Sequence, residues 1–232
     1  MNYGYADEKQ KPVELSEKDE WNRYPIQLYH HLVADIEPEG SDILDIGSGR
    51  GGGAAYMSRR FNPNSVTGVD LSTEAVRLCQ TLHGESDKLK YVQGDAEALP
   101  FENEEYDIVT SVEATHCFSS MARFLKEVGR VLVPGGDFVF TDFRSPENFE
   151  VLSQEIEDAE NLELLTARDI TQNVLLALDL DHDRKERFRD EHLKDVVQER
   201  FAYFAAMKGS ETHEAFVSGN YLYKTFHLKR SE

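Results

Sequence analysis

An α/β fold with a doubly wound, mostly parallel sheet is predicted by three features of the chain. Short apolar runs alternate with helix-length amphipathic segments through residue 144. The first run empties into a glycine-rich turn, "LDIGSGRGGG" (44–53), and the second run ends on an acid, Asp70. Both are marks of strands whose carboxyl ends carry a ligand site.

The elements follow in order. Residues 1–20 are polar and charged, with Tyr3 and Tyr5 as the aromatic exceptions; they form either a loose arm or an arm folded over a site. A helix is expected over 21–36, where Ile26, Tyr29, Leu32, Val33 and Ile36 recur at spacings of three and four. Strands are expected at 42–46, 65–70, 88–95, 106–113 and 137–143, with helices between them at 52–61, 72–83 and 119–132. Ser72 is placed to cap the second of these helices. "VLVPGGDFVF" (131–140) enters the fifth strand through a Pro134-Gly135-Gly136 turn.

The alternation then breaks. Residues 145–216 are acidic and helix-rich, with one strand candidate at 162–170. Within 191–209 the stripe Leu193, Val197, Phe201 and Phe204 is expected to pack into a core, with a lid over a substrate as the competing reading. A last strand is expected at 221–229. The expected organisation is an arm (1–20), a ligand-binding core (21–144), a helix-rich substrate region (145–216) and a closing segment (217–232).

At 232 residues the chain fits one large domain, or one domain with an insertion. Its 25 basic and 44 acidic residues give a net charge of −19, which repels phosphate backbones and anionic lipid, so nucleic acid and membrane surfaces are poor partners. No apolar run reaches the length of a membrane span, and the N-terminus does not read as a signal peptide. Only Cys79 and Cys117 are present, so neither a disulfide framework nor a zinc site is expected, and a cytoplasmic location is the default.

The glycines admit two ligands. Gly47, Gly49 and Gly52 satisfy the dinucleotide pattern G-x-G-x-x-G, with Asp70 about 20 residues on to hold ribose hydroxyls. Gly47, Gly49 and Gly51 equally form the G-x-G-x-G of adenosylmethionine enzymes. Three further features decide: Asp95 in "VQGDAEALPF" (92–101) offers a carboxylate to an adenine amino group, "VPGG" precedes the fifth strand, and no second nucleotide-binding half follows.

In this order, the motifs of residues 43–143 resemble the class I S-adenosylmethionine-dependent methyltransferases. "NYGYAD" (2–7), "RYPIQLYHHL" (23–32), "DIGSGRGGGAAY" (45–56), "VEATHCF" (112–118) and "FTDFR" (140–144) narrow the resemblance to the phthiotriol and phenolphthiotriol dimycocerosate methyltransferases, which methylate a hydroxyl on a lipid-like polyketide. The resemblance implies a seven-stranded Rossmann-like sheet with an antiparallel last strand and a helical lid, and S-adenosylmethionine as cofactor. It implies that Asp45 shapes the loop and meets the methionine amine, that the backbone of Gly47 and Gly49 runs beneath the methionine part, and that Asp70 takes the ribose. It further implies Leu71 beside the adenine, Asp95 and the Ala96 backbone on its edge, and Tyr24 and Gln27 closing over the methionine tail. No metal is required.

"VEATHC" ends the fourth strand, where open parallel sheets bind ligands. His116, with an ordinary pKa near ~6.5, suits a general base for a hydroxyl acceptor. Glu113 can orient that imidazole, position the cofactor or act as base itself, and Asp142 at the end of the fifth strand is a weaker candidate. Phe201, Tyr203, Phe204 and Met207 favour a small, apolar acceptor, with a homodimer left open. Methyl transfer to carbon and an NAD-dependent oxidoreductase are the competing functions.

Overall fold

The central runs become strands because each is long enough to cross a sheet and apolar enough to be covered on both faces, as the burial of β1 (Asp42–Ile46), β2 (Ser65–Asp70) and β4 (Tyr106–Val112) shows. The computed structural model describes residues 2–84 and 86–232. Its strands are β1 (Asp42–Ile46), β2 (Ser65–Asp70), β3 (Leu89–Gln93), β4 (Tyr106–Val112), β5 (Leu132–Arg144), β6 (Leu162–Asp169) and β7 (Leu222–Arg230). They form one sheet in the order β3-β2-β1-β4-β5-β7-β6. The neighbours β3 to β5 pair in parallel, while β7 runs antiparallel to both β5 and β6. This is the expected seven-stranded, doubly wound sheet. The strand order reverses between β1 and β4, so their carboxyl ends open a crevice at the switch point.

Alternate residues of β1 feed two cores. Ile43 joins the layer built with α1 (Arg23–Val33), α2 (Gly52–Arg60) and α3 (Thr73–His83). Leu44 and Ile46 join the opposite layer, with Phe124, Leu125 and Val128 of α4 (Met121–Val131) and Phe149, Leu152 and Ile156 of α5 (Pro146–Glu157). Ser72 does cap α3, its Oγ accepting the Ala75 N–H at 3.2 Å.

Two expectations are corrected. The Pro134-Gly135-Gly136 segment is not a turn before β5 but a bulge within it. Leu132 pairs with Tyr106 and Asp137 with Ile108, and Gly135 takes φ +74° in the excess chain between them. The stripe of 191–209 is not core. The helix breaks at Leu193 and Lys194, and the following α8 (Asp195–Phe204) buries none of its residues; Phe204 is 60% exposed. The buried part of this segment is instead the loop Ala205, Ala206 and Met207.

Within 145–216, α5 and β6 belong to the sheet layers. The helices α6 (Thr171–Leu180) and α9 (Glu211–Val217) join the α1 layer through Val174, Leu178 and Phe216, and α7 (His182–His192) and α8 lie between them along the chain. No helix among the described residues is long and apolar enough to cross a membrane.

Candidate active site

The glycine loop is held by what surrounds it. Asp45 is wholly buried at the end of β1, opposite Thr110 of β4, whose hydroxyl donates to it at 2.9 Å. The Tyr29 hydroxyl reaches the other carboxylate oxygen at 3.4 Å, and this ring lies where only a glycine fits: a Cβ on Gly53 would stand 2.0 Å from it. Burial pushes the Asp45 carboxyl up to about 7, against the lowering effect of those two hydroxyl donors. Gly47 adopts φ +73°, and a Cβ there would fall 2.4 Å from that of Ala114, so the loop is pressed against the end of β4. The N–H groups of Gly47 and Ser48 donate to the Val69 carbonyl, and that of Gly49 donates to Asp70 at 2.8 Å.

Beside the loop lies a cleft of about 190 Å³ whose walls include Gly47, Asp70, Leu71, Asp95, Ala96 and Phe118. Sequence reasoning therefore brought five of its residues together from three separate segments. Leu71 is 69% exposed there, an apolar side chain left uncovered by the protein. Asp95 is set by its own turn, accepting the Glu97 N–H at 2.9 Å. Glu97, which the sequence analysis did not single out, accepts from the Ser119 and Ser120 amides and pairs with Arg123, fixing the far wall. The set suits an adenosine in its chemistry: the carboxylates of Asp70 and Asp95, able to accept from hydroxyl and amino groups, line one cleft with the exposed apolar Leu71.

Tyr24 and Gln27 are elsewhere. Neither lines that cleft; both hold the N-terminal arm. The Tyr24 carbonyl accepts the Tyr5 N–H at 3.1 Å, and Gln27 Nε2 donates to the Tyr5 carbonyl at 2.8 Å. Asp45 and Gly49 act on the loop and are not part of the cleft wall. The arm divides: Asn2, Gly4, Tyr5 and Ala6 are buried against the fold, whereas most of residues 8–20 are exposed.

The end of β4 turns sharply. Glu113 adopts φ +51°, a left-handed conformation rare for a residue with a side chain, while its N–H still pairs with Thr141 of β5. The turn carries Thr115 and His116 back over β5, onto Asp142. Asp142 is fully buried and accepts from the Thr115 hydroxyl, the His116 N–H at 2.8 Å and the Phe143 N–H at 2.9 Å. His116 Nδ1 lies 2.7 Å from Asp142 Oδ1. A carboxylate only accepts, so Nδ1 carries the proton and Nε2 presents a lone pair. Burial pulls the His116 pKa down, but the hydrogen bond and charge of Asp142 outweigh it and hold the value above the ordinary one.

Asp142, not Glu113, thus orients the imidazole. The Glu113 carboxylate instead accepts from the Tyr3 N–H and the Tyr223 hydroxyl, both at 2.7 Å. Burial raises it to about 7, opposed by those two donors. The pairing of His116 with Asp142 was missed at the level of sequence; both residues ended strands, and neighbouring strand ends were the available signal.

The comparisons with known proteins agree with this geometry. A family model described as a methyltransferase domain matches residues 44–140. A fatty-acid O-methyltransferase of Mycolicibacterium smegmatis is 40% identical over 82% of this chain and 69% of its own length. A phthiotriol/phenolphthiotriol dimycocerosates methyltransferase of Mycobacterium leprae is 35% identical over 97% of this chain and 83% of its own. The fold matches that of a geranyl diphosphate C-methyltransferase from Streptomyces coelicolor with TM-score 0.71 at 18% identity, covering 99% of this chain and 91% of that one. With Gly47 of the glycine loop, Asp70 and Asp95 placed around one cleft, the chain belongs to the class I S-adenosylmethionine-dependent methyltransferases, in the group that includes the phthiotriol/phenolphthiotriol dimycocerosates enzymes.

Proposed function

We propose that the protein methylates a hydroxyl of a small, largely apolar, lipid-like acceptor, with His116 as general base and Asp142 as the residue that positions it. The observation that carries this reading is the 2.7 Å contact of Asp142 with Nδ1 of His116, one residue before Cys117 of the cleft wall. When bound, the cofactor supplies a methyl group made electrophilic by its sulfonium. Asp70 takes the ribose hydroxyls, Leu71 and Asp95 with the Ala96 backbone take the adenine, and Gly47, Gly49 and Asp45 shape the methionine end. Tyr24 and Gln27 act indirectly, by fixing the arm. His116 Nε2 accepts the hydroxyl proton, and Asp142 stabilises the imidazolium that results.

The lipid-like character of the acceptor is supported by the names of the two relatives, one acting on fatty acids and one on phthiotriol dimycocerosates. Methyl transfer to carbon with Glu113 as base gains nothing from the geometry, because that carboxylate is engaged by the arm and by β7.

The test offers hexadecan-1-ol, 4-nonylphenol and hexadecanoic acid with S-adenosylmethionine, and measures methylated product by mass spectrometry. Methylation of a hydroxyl compound, reduced about 100-fold or more in His116→Ala with S-adenosylhomocysteine binding retained, supports the reading. A carboxylate is already ionised near neutral pH and needs no base. Turnover of hexadecanoic acid alone, indifferent to His116→Ala, would refute it.

A further inference from the structure

We infer that Tyr3, on the N-terminal arm, is a specificity-determining residue: its ring, with those of Phe143 and Tyr221, forms the seat on which the apolar body of the acceptor lies beside His116. The inference rests on the proposed function and names the part of the site that selects the acceptor.

The arm is built to put this ring in place. A Cβ on Gly4 would come 2.6 Å from that of Tyr24, and Gly4 takes φ +89°, so the arm crosses α1 at a distance only glycine allows. On one side of that crossing the Tyr5 ring stacks on His31 at 4.0 Å, and the Ala6 N–H donates to the Asn173 carbonyl of α6. On the other side the Tyr3 N–H is held by Glu113. Tyr3 is thereby tied by its backbone to the strained turn that also delivers His116.

Its ring sits 5.3 Å from Phe143 and 5.6 Å, edge-on, from Phe216. Phe143 in turn lies 4.8 Å from the His116 imidazole and 5.5 Å from Tyr221. The rings beneath, Phe216 and Tyr223, are buried to within 1%. Tyr3, Phe143 and Tyr221 are only partly covered, and the His116 side chain is 32% exposed. The rings beneath are sealed, whereas Tyr3, Phe143 and Tyr221 each keep part of their surface uncovered beside the candidate base. Among the described residues the Tyr3 hydroxyl has no hydrogen-bond partner, so its ring rather than its hydroxyl carries the contact. Flat, uncharged faces of this kind receive alkyl chains and phenyl rings, not phosphates or sugars.

The experiment titrates 4-nonylphenol into the full chain loaded with S-adenosylhomocysteine, by calorimetry, for wild type, Tyr3→Ala, Tyr3→Phe and Tyr3→Leu. Tyr3→Ala is expected to weaken 4-nonylphenol at least about tenfold, with Tyr3→Phe within about twofold of wild type and S-adenosylhomocysteine affinity within about threefold throughout. In turnover the loss should fall on acceptor KM rather than kcat. If Tyr3→Ala does not fold, Tyr3→Leu keeps apolar volume and must show weakened binding between those of wild type and a blank. Equal 4-nonylphenol affinity in Tyr3→Ala or Tyr3→Leu and wild type overturns the inference, as does its failure to bind wild type. The predicted binding pattern without methylation in any form would support the seat while sinking the proposed reaction.

Discussion

Replacing Asp142 by asparagine tests the base without disturbing the shape of the site. Asp142 receives the Thr115 hydroxyl, two backbone N–H groups and His116 Nδ1, with the Arg144 guanidinium 3.7 Å away. Asparagine offers one acceptor oxygen and an NH2 group. At the Oδ2 position the NH2 faces the Thr115 hydroxyl and the His116 N–H; at the Oδ1 position it turns to His116 Nδ1 but faces the Phe143 N–H, so either placement costs about 1–3 kcal/mol of stability. In the second case Nδ1 becomes the acceptor, the proton moves to Nε2, and the lone pair aimed at the acceptor hydroxyl is lost. A fall in kcat of about 10²–10⁴ is expected.

The sign of the pH shift is fixed by the same contacts. Burial lowers the His116 pKa, and the Asp142 bond and charge are what lift it above the ordinary value. Without that charge, burial, the largest effect, and Arg144 act downward against the smaller upward pull of Glu113, so the pKa falls below the ordinary ~6.5. A base is active when neutral, so the acid limb of the rate profile should move to lower pH even as the plateau drops. Rates from about pH 5 to about pH 9, with the imidazole titrated by nitrogen NMR in the same range, measure both effects. An unmoved imidazole titration and a rate within about threefold of wild type would refute the dyad.

Three further outcomes are expected. Asp45→Asn should stabilise the protein at about pH 8 and weaken S-adenosylmethionine. The Asp45 carboxyl at about 7 lies above its ordinary 3.8, so its contribution is fully present below about pH 4 and lost as pH rises through 7. That loss is at most about 4 kcal/mol, and half of it gives a melting temperature higher by roughly 4–8 °C at about pH 8, with little change near pH 4. Gly47→Ala should cost about 2–4 kcal/mol and abolish cofactor binding, because the new methyl meets Ala114, and the double substitution with Ala114→Gly should recover part of the melting temperature. Asp70→Ala should weaken S-adenosylmethionine and S-adenosylhomocysteine about 10- to 100-fold by calorimetry. NAD should bind neither wild type nor variant.

The strands were the most legible part of the chain, and the reason is their burial. β1 and β2 begin and end with their apolar runs, 42–46 and 65–70, since a parallel strand covered on both faces has no polar side to blur its limits. β5 was read as starting five residues late because a bulge stores its extra chain in Pro134-Gly135-Gly136, residues that signal a turn equally well. The α8 stripe misled for a geometric reason. Periodicity from Leu193 to Phe204 presumes one continuous helix, and the extended conformation at Leu193 and Lys194 breaks it. In the site, Asp70, Leu71, Asp95 and Ala96 were legible as residues at or just beyond strand ends. The His116–Asp142 contact was not, since it joins residues 26 apart through the β4–β5 register and a left-handed Glu113 that no side chain prefers.

The electrostatics of the site bear on which glycine-loop ligand it takes. Three carboxyls are buried around the ends of β1, β4 and β5. Asp142 has His116 and Arg144 beside it, but among the described residues neither Asp45 nor Glu113 forms an ion pair; their partners are hydroxyl and amide donors. Carboxyls so furnished are pushed up to about 7, because their hydroxyl and amide donors only partly offset the loss of water. A cationic ligand supplies that charge. S-adenosylmethionine bears a sulfonium and an ammonium, whereas a dinucleotide bears a pyrophosphate, which a chain of net charge −19 repels. The glycines permit either ligand to approach, and the uncompensated acids favour the one with positive charge.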